Sequence, residues 1–107
     1  MTEKSKVLIT GGAGLIGSLM INNLGEKYEF SSLDLRKAET VPSTVANLDD
    51  FDAISPAFDG IDTVIHLAAD PSPDGSWESN LQNNFIATYN VFELSKRVGV
   101  KRVIFAS

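Results

Sequence analysis

Val7-Leu8-Ile9 is a short unbroken apolar run that passes directly into Thr10-Gly11-Gly12-Ala13-Gly14-Leu15-Ile16-Gly17. The run reads as a buried strand, and the segment from Leu15 to Leu24 reads as the helix that follows it. A second strand-like run covers Tyr28 to Leu35. The polar stretch from there to Thr44, which includes Pro42, reads as loop, and Thr44 to Leu48 as a short third strand. Asp49-Asp50 predicts the start of a short helix ending near Phe58, with Pro56 at its end or breaking it. Asp59-Gly60 is a turn signal. Thr63-Val64-Ile65-His66-Leu67-Ala68-Ala69 is continuous and apolar, as buried parallel strands are. Pro71, Pro73 and Gly75 mark a loop. The longest helix runs from Trp77 to Val98, where Trp77, Leu81, Phe85, Tyr89 and Phe92 recur every three or four residues as a core or interface stripe. Gly99 stops that helix, and Lys101 to Ala106 is the last strand. Strand and helix alternate, so the expected fold is α/β with a parallel sheet and right-handed crossovers.

The chemistry lies in the first turn. Gly11, Gly14 and Gly17 stand three residues apart between a strand and a helix. In such a unit the first glycine permits a tight turn. The second lets the backbone approach a pyrophosphate, and the third lets the helix pack closely on the strand. The helix N-terminus then offers unpaired N–H groups and a positive dipole end to phosphates. Asp34 ends the second strand, 17 residues after Gly17 and 23 after Gly11. That spacing suits a carboxylate accepting from a ribose 2′-OH, and its charge repels the additional phosphate of NADP. NAD is therefore the expected cofactor, although Arg36 and Lys37 stand close enough for an arginine to meet a 2′-phosphate.

Composition narrows the rest. The 107 residues are 43% hydrophobic and 21% charged, the balance of a single soluble globular domain. A net charge of −5 argues against nucleic acid, whose binders carry a basic stripe. Lys96, Arg97, Lys101 and Arg102 flank a helix end and read as a solvated rim complementing its dipole. With no cysteine and one histidine, neither a disulfide framework nor a thiolate or multi-histidine metal site is expected. No apolar run approaches the roughly 20 residues that span a membrane. No signal peptide opens the sequence, so cytoplasmic residence is the expectation. His66 sits mid-strand between Ile65 and Leu67 and reads as a hydrogen-bonded core imidazole rather than a catalytic base. Asp70 and Asp74 fall in the loop after that strand, where ligands bind in open α/β sheets. Asp70 has two readings, the start of a turn before Pro71 or a substrate contact, and the turn is the simpler.

Together these motifs resemble the extended short-chain dehydrogenase/reductase family, the NAD-dependent epimerase/dehydratase group. The residues carrying the likeness are the Thr10–Gly17 stretch, Asp34, Asp62 to Ala69, Asn84 to Val91 with Thr88 and Asn90, and Val100 to Ser107. The last of these looks like that family's fourth strand. The wording around His66 to Asp70 and Trp77 is similar to that of uronate dehydrogenases and related sugar-nucleotide enzymes. The resemblance implies a partial Rossmann-type, doubly wound parallel sheet over residues 1–107, the amino-terminal cofactor-binding half of such an enzyme. It implies that Leu15 and Ile16 line the pyrophosphate and that Asp34, Leu35 and Arg36 hold the adenosine ribose. Asn47 and Leu48 would border the adenine, with Asn47 standing where the family often has an acidic residue. Leu67, Ala68 and Ala69 would pass under the nicotinamide-side ribose. Asn84 would support the active site from within its helix, or merely bond backbone there. The same helix would contribute to a homodimer interface, and the substrate would be a sugar or nucleotide sugar.

The family's catalysis needs a tyrosine with a lysine four residues later. Four after Tyr28 stands Ser32, and four after Tyr89 stands Glu93. By the likeness, Ser107 directly precedes the position of the catalytic Ser or Thr. The expectation is thus a portion that binds NAD and does not turn over, cut from a longer enzyme. The alternative is a short nucleotide- or partner-binding module without catalysis.

Overall fold

A computed structural model of the chain describes residues 4–67 and 77–105. Five strands, β1 (Lys6–Thr10), β2 (Glu29–Asp34), β3 (Ser43–Val45), β4 (Thr63–His66) and β5 (Arg102–Phe105), form one sheet in the order β3-β2-β1-β4-β5. Every pairing is parallel, with Leu8 opposite Ser31 on one side and Val64 on the other. The connections are α1 (Leu15–Leu24), the short α2 (Phe51–Ile54) with a 3₁₀ turn Ser55–Phe58, and α3 (Trp77–Val98).

Alternation along the strands divides the core in two. Val7, Ile9 and Phe30 face α1 and bury Ile21, whereas Leu8, Leu33 and Val64 face α2 and α3 and bury Ile54, Phe58, Val91 and Leu94. Helices therefore cover both faces, as buried parallel strands require. The chain moves outward from β1 to β3, then returns to place β4 on the other side of β1. That reversal creates a crevice beyond the carboxyl ends of β1 and β4, the position where open α/β sheets bind ligands. On the α1 side, β4 and β5 carry no helix among the described residues. A hollow of about 200 Å³ opens there between Met20, Leu24, Ile65 and Ile104.

Several boundaries differ from the sequence reading. The third strand ends at Val45, so Asn47 and Leu48 follow it as loop. The helix after Asp50 is α-helical for one turn only, because Pro56 has no N–H to continue it and the chain tightens to 3₁₀. Counting β3, the last strand is the fifth. Of the α3 stripe, Phe85 is 74% exposed and Tyr89 and Phe92 are also exposed, so these three are not core. The helix instead buries Ala87, Asn90, Val91, Leu94 and Ser95, small and medium side chains that allow it close to the sheet. Arg97 in its last turn pairs with Glu93 at 3.1 Å and stacks over Phe51, consistent with a cationic rim at a helix C-terminus. Among the described residues no helix is long and apolar enough to cross a membrane, and no cluster of metal-ligating side chains occurs.

Candidate functional site

The glycine turn leaves β1 at Thr10 and enters α1 at Leu15. Gly11 has φ +82°, a conformation that side chains resist, so the first glycine is required for the turn. Its N–H donates to Leu33 O at 2.9 Å, extending the β1–β2 ladder, and its carbonyl accepts from Gly14 N at 3.0 Å. Gly14 is the N-cap of α1, and no side chain caps that helix or places an acid in its first turn. A Cβ on Gly14 would meet only Gly11 O, at 3.3 Å, and otherwise point into open space. Leu15 and Ile16 are exposed beside it. The result is an uncapped, positively polarised helix end with a bare backbone approach.

The third glycine sets how closely α1 approaches the turn. A Cβ on Gly17 would come within 2.7 Å of Gly11 O and 2.8 Å of Gly12 Cα, so Gly17 lets the helix pack closely on the turn that leaves β1. Gly12, given no role by the spacing rule, is also needed. Its added Cβ would overlap Ser32 Oγ and lie 2.6 Å from Ser32 Cβ, so this glycine lets the turn rest on β2. The doubled Gly11-Gly12 was the available signal.

Asp34 reaches the same turn from the end of β2. One carboxylate oxygen accepts from Ala13 N at 3.0 Å and the other from Leu35 N at 2.6 Å. A carboxylate offers about four lone-pair sites, so two bonds leave room for hydroxyl donors. Arg36 is exposed and its guanidinium lies 3.5 Å from Ala13 O, placing a cation at the same rim. Leu35 is exposed beside them. Asn47 is exposed and folds back so that its Oδ1 accepts from Asp49 N, whereas the Leu48 side chain is buried in the α3-side core. These two residues thus present a polar edge and a backbone, not an apolar platform.

Across the crevice, Leu67 follows β4, and its N–H lies 3.1 Å from both Thr10 O and Thr10 Oγ1. The buried His66 ring is 2.6 Å from Thr10 Oγ1 through Nδ1 and 3.4 Å from Thr88 Oγ1 through Nε2, with Phe105 edge-on to it. It is the hydrogen-bonded core imidazole anticipated, and its two threonine partners were invisible in sequence because they lie 56 and 22 residues away. Asn84 is half-buried on α3 and is partnered. Ala68, Ala69, Asp70, Asp74 and Ser107, and the side chains of Trp77 and Leu81, lie outside the described residues.

Burial pushes the His66 imidazole below its usual value of 6.5. A group whose charged form is disfavoured by folding binds more protons unfolded than folded. Its stabilising contribution is therefore complete above pH 6.5 and declines as pH falls from there towards the lowered folded value. Urea midpoints measured at pH 7.5 and 5.5 should fall with pH in the wild type. The part of that decline due to this ring should vanish in His66→Gln, and an identical decline in both proteins would contradict the assignment.

The comparisons agree with this geometry. Residues 7–107 match the NAD dependent epimerase/dehydratase family. The chain is 35% identical over 103 residues to L-arabinose 1-dehydrogenase (NAD(P)(+)) of Haloferax volcanii, covering 96% of this chain and 41% of that protein. It superposes with a TM-score of 0.83 on a uronate dehydrogenase variant from Agrobacterium tumefaciens complexed with NAD, at 29% identity over 98% of this chain and 41% of the other. The Bordetella bronchiseptica enzyme WbmG in complex with NAD and UDP gives 0.82 at 25% identity, over 96% of this chain and 37% of the other. The chain spans about two fifths of the length of these relatives. A five-stranded parallel sheet, a glycine turn bonded to the acid that ends β2, and a match over nearly every residue converge: the chain belongs to the NAD dependent epimerase/dehydratase family.

Proposed function

We propose that these residues are the NAD-binding portion of an NAD-dependent dehydrogenase, epimerase or dehydratase acting on a sugar or nucleotide sugar. The observation that carries the reading is the bond from Ala13 N to the Asp34 carboxylate. It joins the ribose acceptor to the same turn that exposes the uncapped end of α1, so one rigid unit presents an anion cradle and a hydroxyl acceptor. Gly11 and Gly17 shape the cradle, and Gly14, with the Leu15 and Ile16 backbone, faces the pyrophosphate. Asp34 accepts the adenosine ribose hydroxyls, flanked by Leu35 and Arg36, and Asn47 with Leu48 borders the adenine. Leu67, with Ala68 and Ala69 after it in sequence, would serve the second ribose, and Asn84 would support the reaction centre from α3. NAD, once bound, supplies hydride acceptance at the nicotinamide. The residues named here bind and orient it, and the Asp34 charge favours NAD over NADP.

In the whole protein the outward face of α3, with exposed Phe85, Tyr89 and Phe92, suits a homodimer interface. The 107 residues alone are proposed to be inactive. Tyr28 directly precedes β2, at the amino-terminal end of the parallel strands and so opposite the crevice, Tyr89 lies on the outer face of α3, and neither has a lysine four residues on. An NADH-absorbance assay across a panel of sugars, uronates and nucleotide sugars should give no cofactor-dependent signal. Turnover by the purified chain would overturn this part of the reading.

A further inference from the structure

Asn90 is a polar side chain on the buried face of α3, 6% exposed, and the NAD-binding reading gives it no role. Its Nδ2 donates to Leu48 O at 2.8 Å, across 42 residues of sequence. A helical asparagine with no tertiary partner bonds its own preceding turn or water. This one instead crosses to the loop that leaves β3. That loop is fixed at its other end by Ala46 N, which donates to Asp34 O at 3.1 Å. Residues 46–48 are thus held between two anchors, the backbone of the ribose acceptor and an amide on α3. The Leu48 side chain fills core below, and Asn47 alone is left exposed between the anchors.

We propose that Asn90 is a positioning residue for the adenine end of the cofactor site. It touches no ligand; by holding the Leu48 carbonyl it sets where the Asn47–Leu48 backbone stands relative to Asp34. This rests on the NAD reading above. Loss of the anchor frees the loop on one side only, so the adenine end should suffer while the glycine turn, built on β1, β2 and α1, does not.

The test is calorimetric titration of the chain with NAD, ADP-ribose and inorganic pyrophosphate, for wild type, Asn90→Ala and Asn90→Asp. The aspartate keeps the shape, removes the donor and sets oxygen against oxygen. Both variants should bind NAD and ADP-ribose about five- to tenfold more weakly, the scale of one lost hydrogen bond, with pyrophosphate affinity unchanged. Equal weakening for all three ligands would mean a merely structural role and overturn the inference, as would unchanged affinities. A wild type that binds no NAD would instead sink the underlying reading. Should neither variant fold, NMR of the wild type decides. The Asn90 side-chain amide should be protected from exchange and should shift on adding ADP-ribose but not pyrophosphate; an unprotected or unresponsive amide overturns the proposal.

Discussion

Gly14→Val should leave the chain folded and unable to hold NAD, whereas Gly17→Val should break the turn and the fold together. The contrast follows from what each new side chain would meet. At Gly14 the backbone is extended, with φ −79° and ψ 177°, which valine adopts readily, and the nearest atom to its Cβ is Gly11 O at 3.3 Å. The folding cost is that of a poor N-cap, about 1 kcal/mol, together with the small shift by which the Gly11 carbonyl must give way. The isopropyl group then stands over the bare helix end where the pyrophosphate is proposed to lie. Loss of that approach should weaken NAD binding at least ~100-fold, or about 3 kcal/mol. At Gly17 the Cβ meets backbone at 2.7 and 2.8 Å, which no rotamer relieves, so α1 must move off the turn. Overpacking of this kind costs about 3 kcal/mol or more, a large share of the ~5–15 kcal/mol that holds a domain together. Thermal melts by circular dichroism, paired with NAD titrations, separate the two. A folded Gly14→Val protein that binds NAD normally would refute the assignment of that glycine to the phosphates.

Asp34→Ala should lower NAD affinity by about 10- to 100-fold, the range expected for a hydrogen bond to a charged group. It removes the proposed ribose acceptor and also the tie to Ala13 N, so part of the loss comes from a loosened turn. Asp34→Asn removes the charge while keeping the shape of the side chain. Its amide oxygen can still accept from Ala13 but its amide nitrogen cannot accept from Leu35 N, and the repulsion of a 2′-phosphate is gone while the Arg36 guanidinium stays at the rim. NADP should therefore gain on NAD in both variants, and more cleanly in the asparagine. Parallel titrations with the two cofactors read this directly, and an unaltered NAD-to-NADP ratio would remove Asp34 from the ribose.

The parts of the site legible in sequence were those encoded locally. Glycines at spacing three between a strand and a helix need only their neighbours to be read, and Asp34 needs only the known length of the strand–helix–strand unit. Gly12 escaped because its requirement comes from Ser32 on β2, a contact that only the folded turn creates. Thr10, Thr88 and Asn90 belong to the motifs that carry the family likeness, but their contacts escaped for the same reason, since their partners are brought near by sheet order and by the docking of α3. The aromatic residues of α3 read as core or interface, and only the core half of that reading fails for Phe85, Tyr89 and Phe92, because two stripes share that helix. The larger side chains drew the pattern, yet Ala87, Val91 and Leu94, one turn round, fit the space over the sheet. The extent of β3 was overestimated because its end is set by its partner, and pairing with β2 stops at Val45 opposite Asp34.

Isothermal titration of the purified chain with NAD and with NADP tests the central claim most directly. One NAD should bind per chain, more tightly than NADP, and Gly14→Val should abolish the heat. Absence of saturable NAD binding by a chain that circular dichroism shows to be folded would contradict the account.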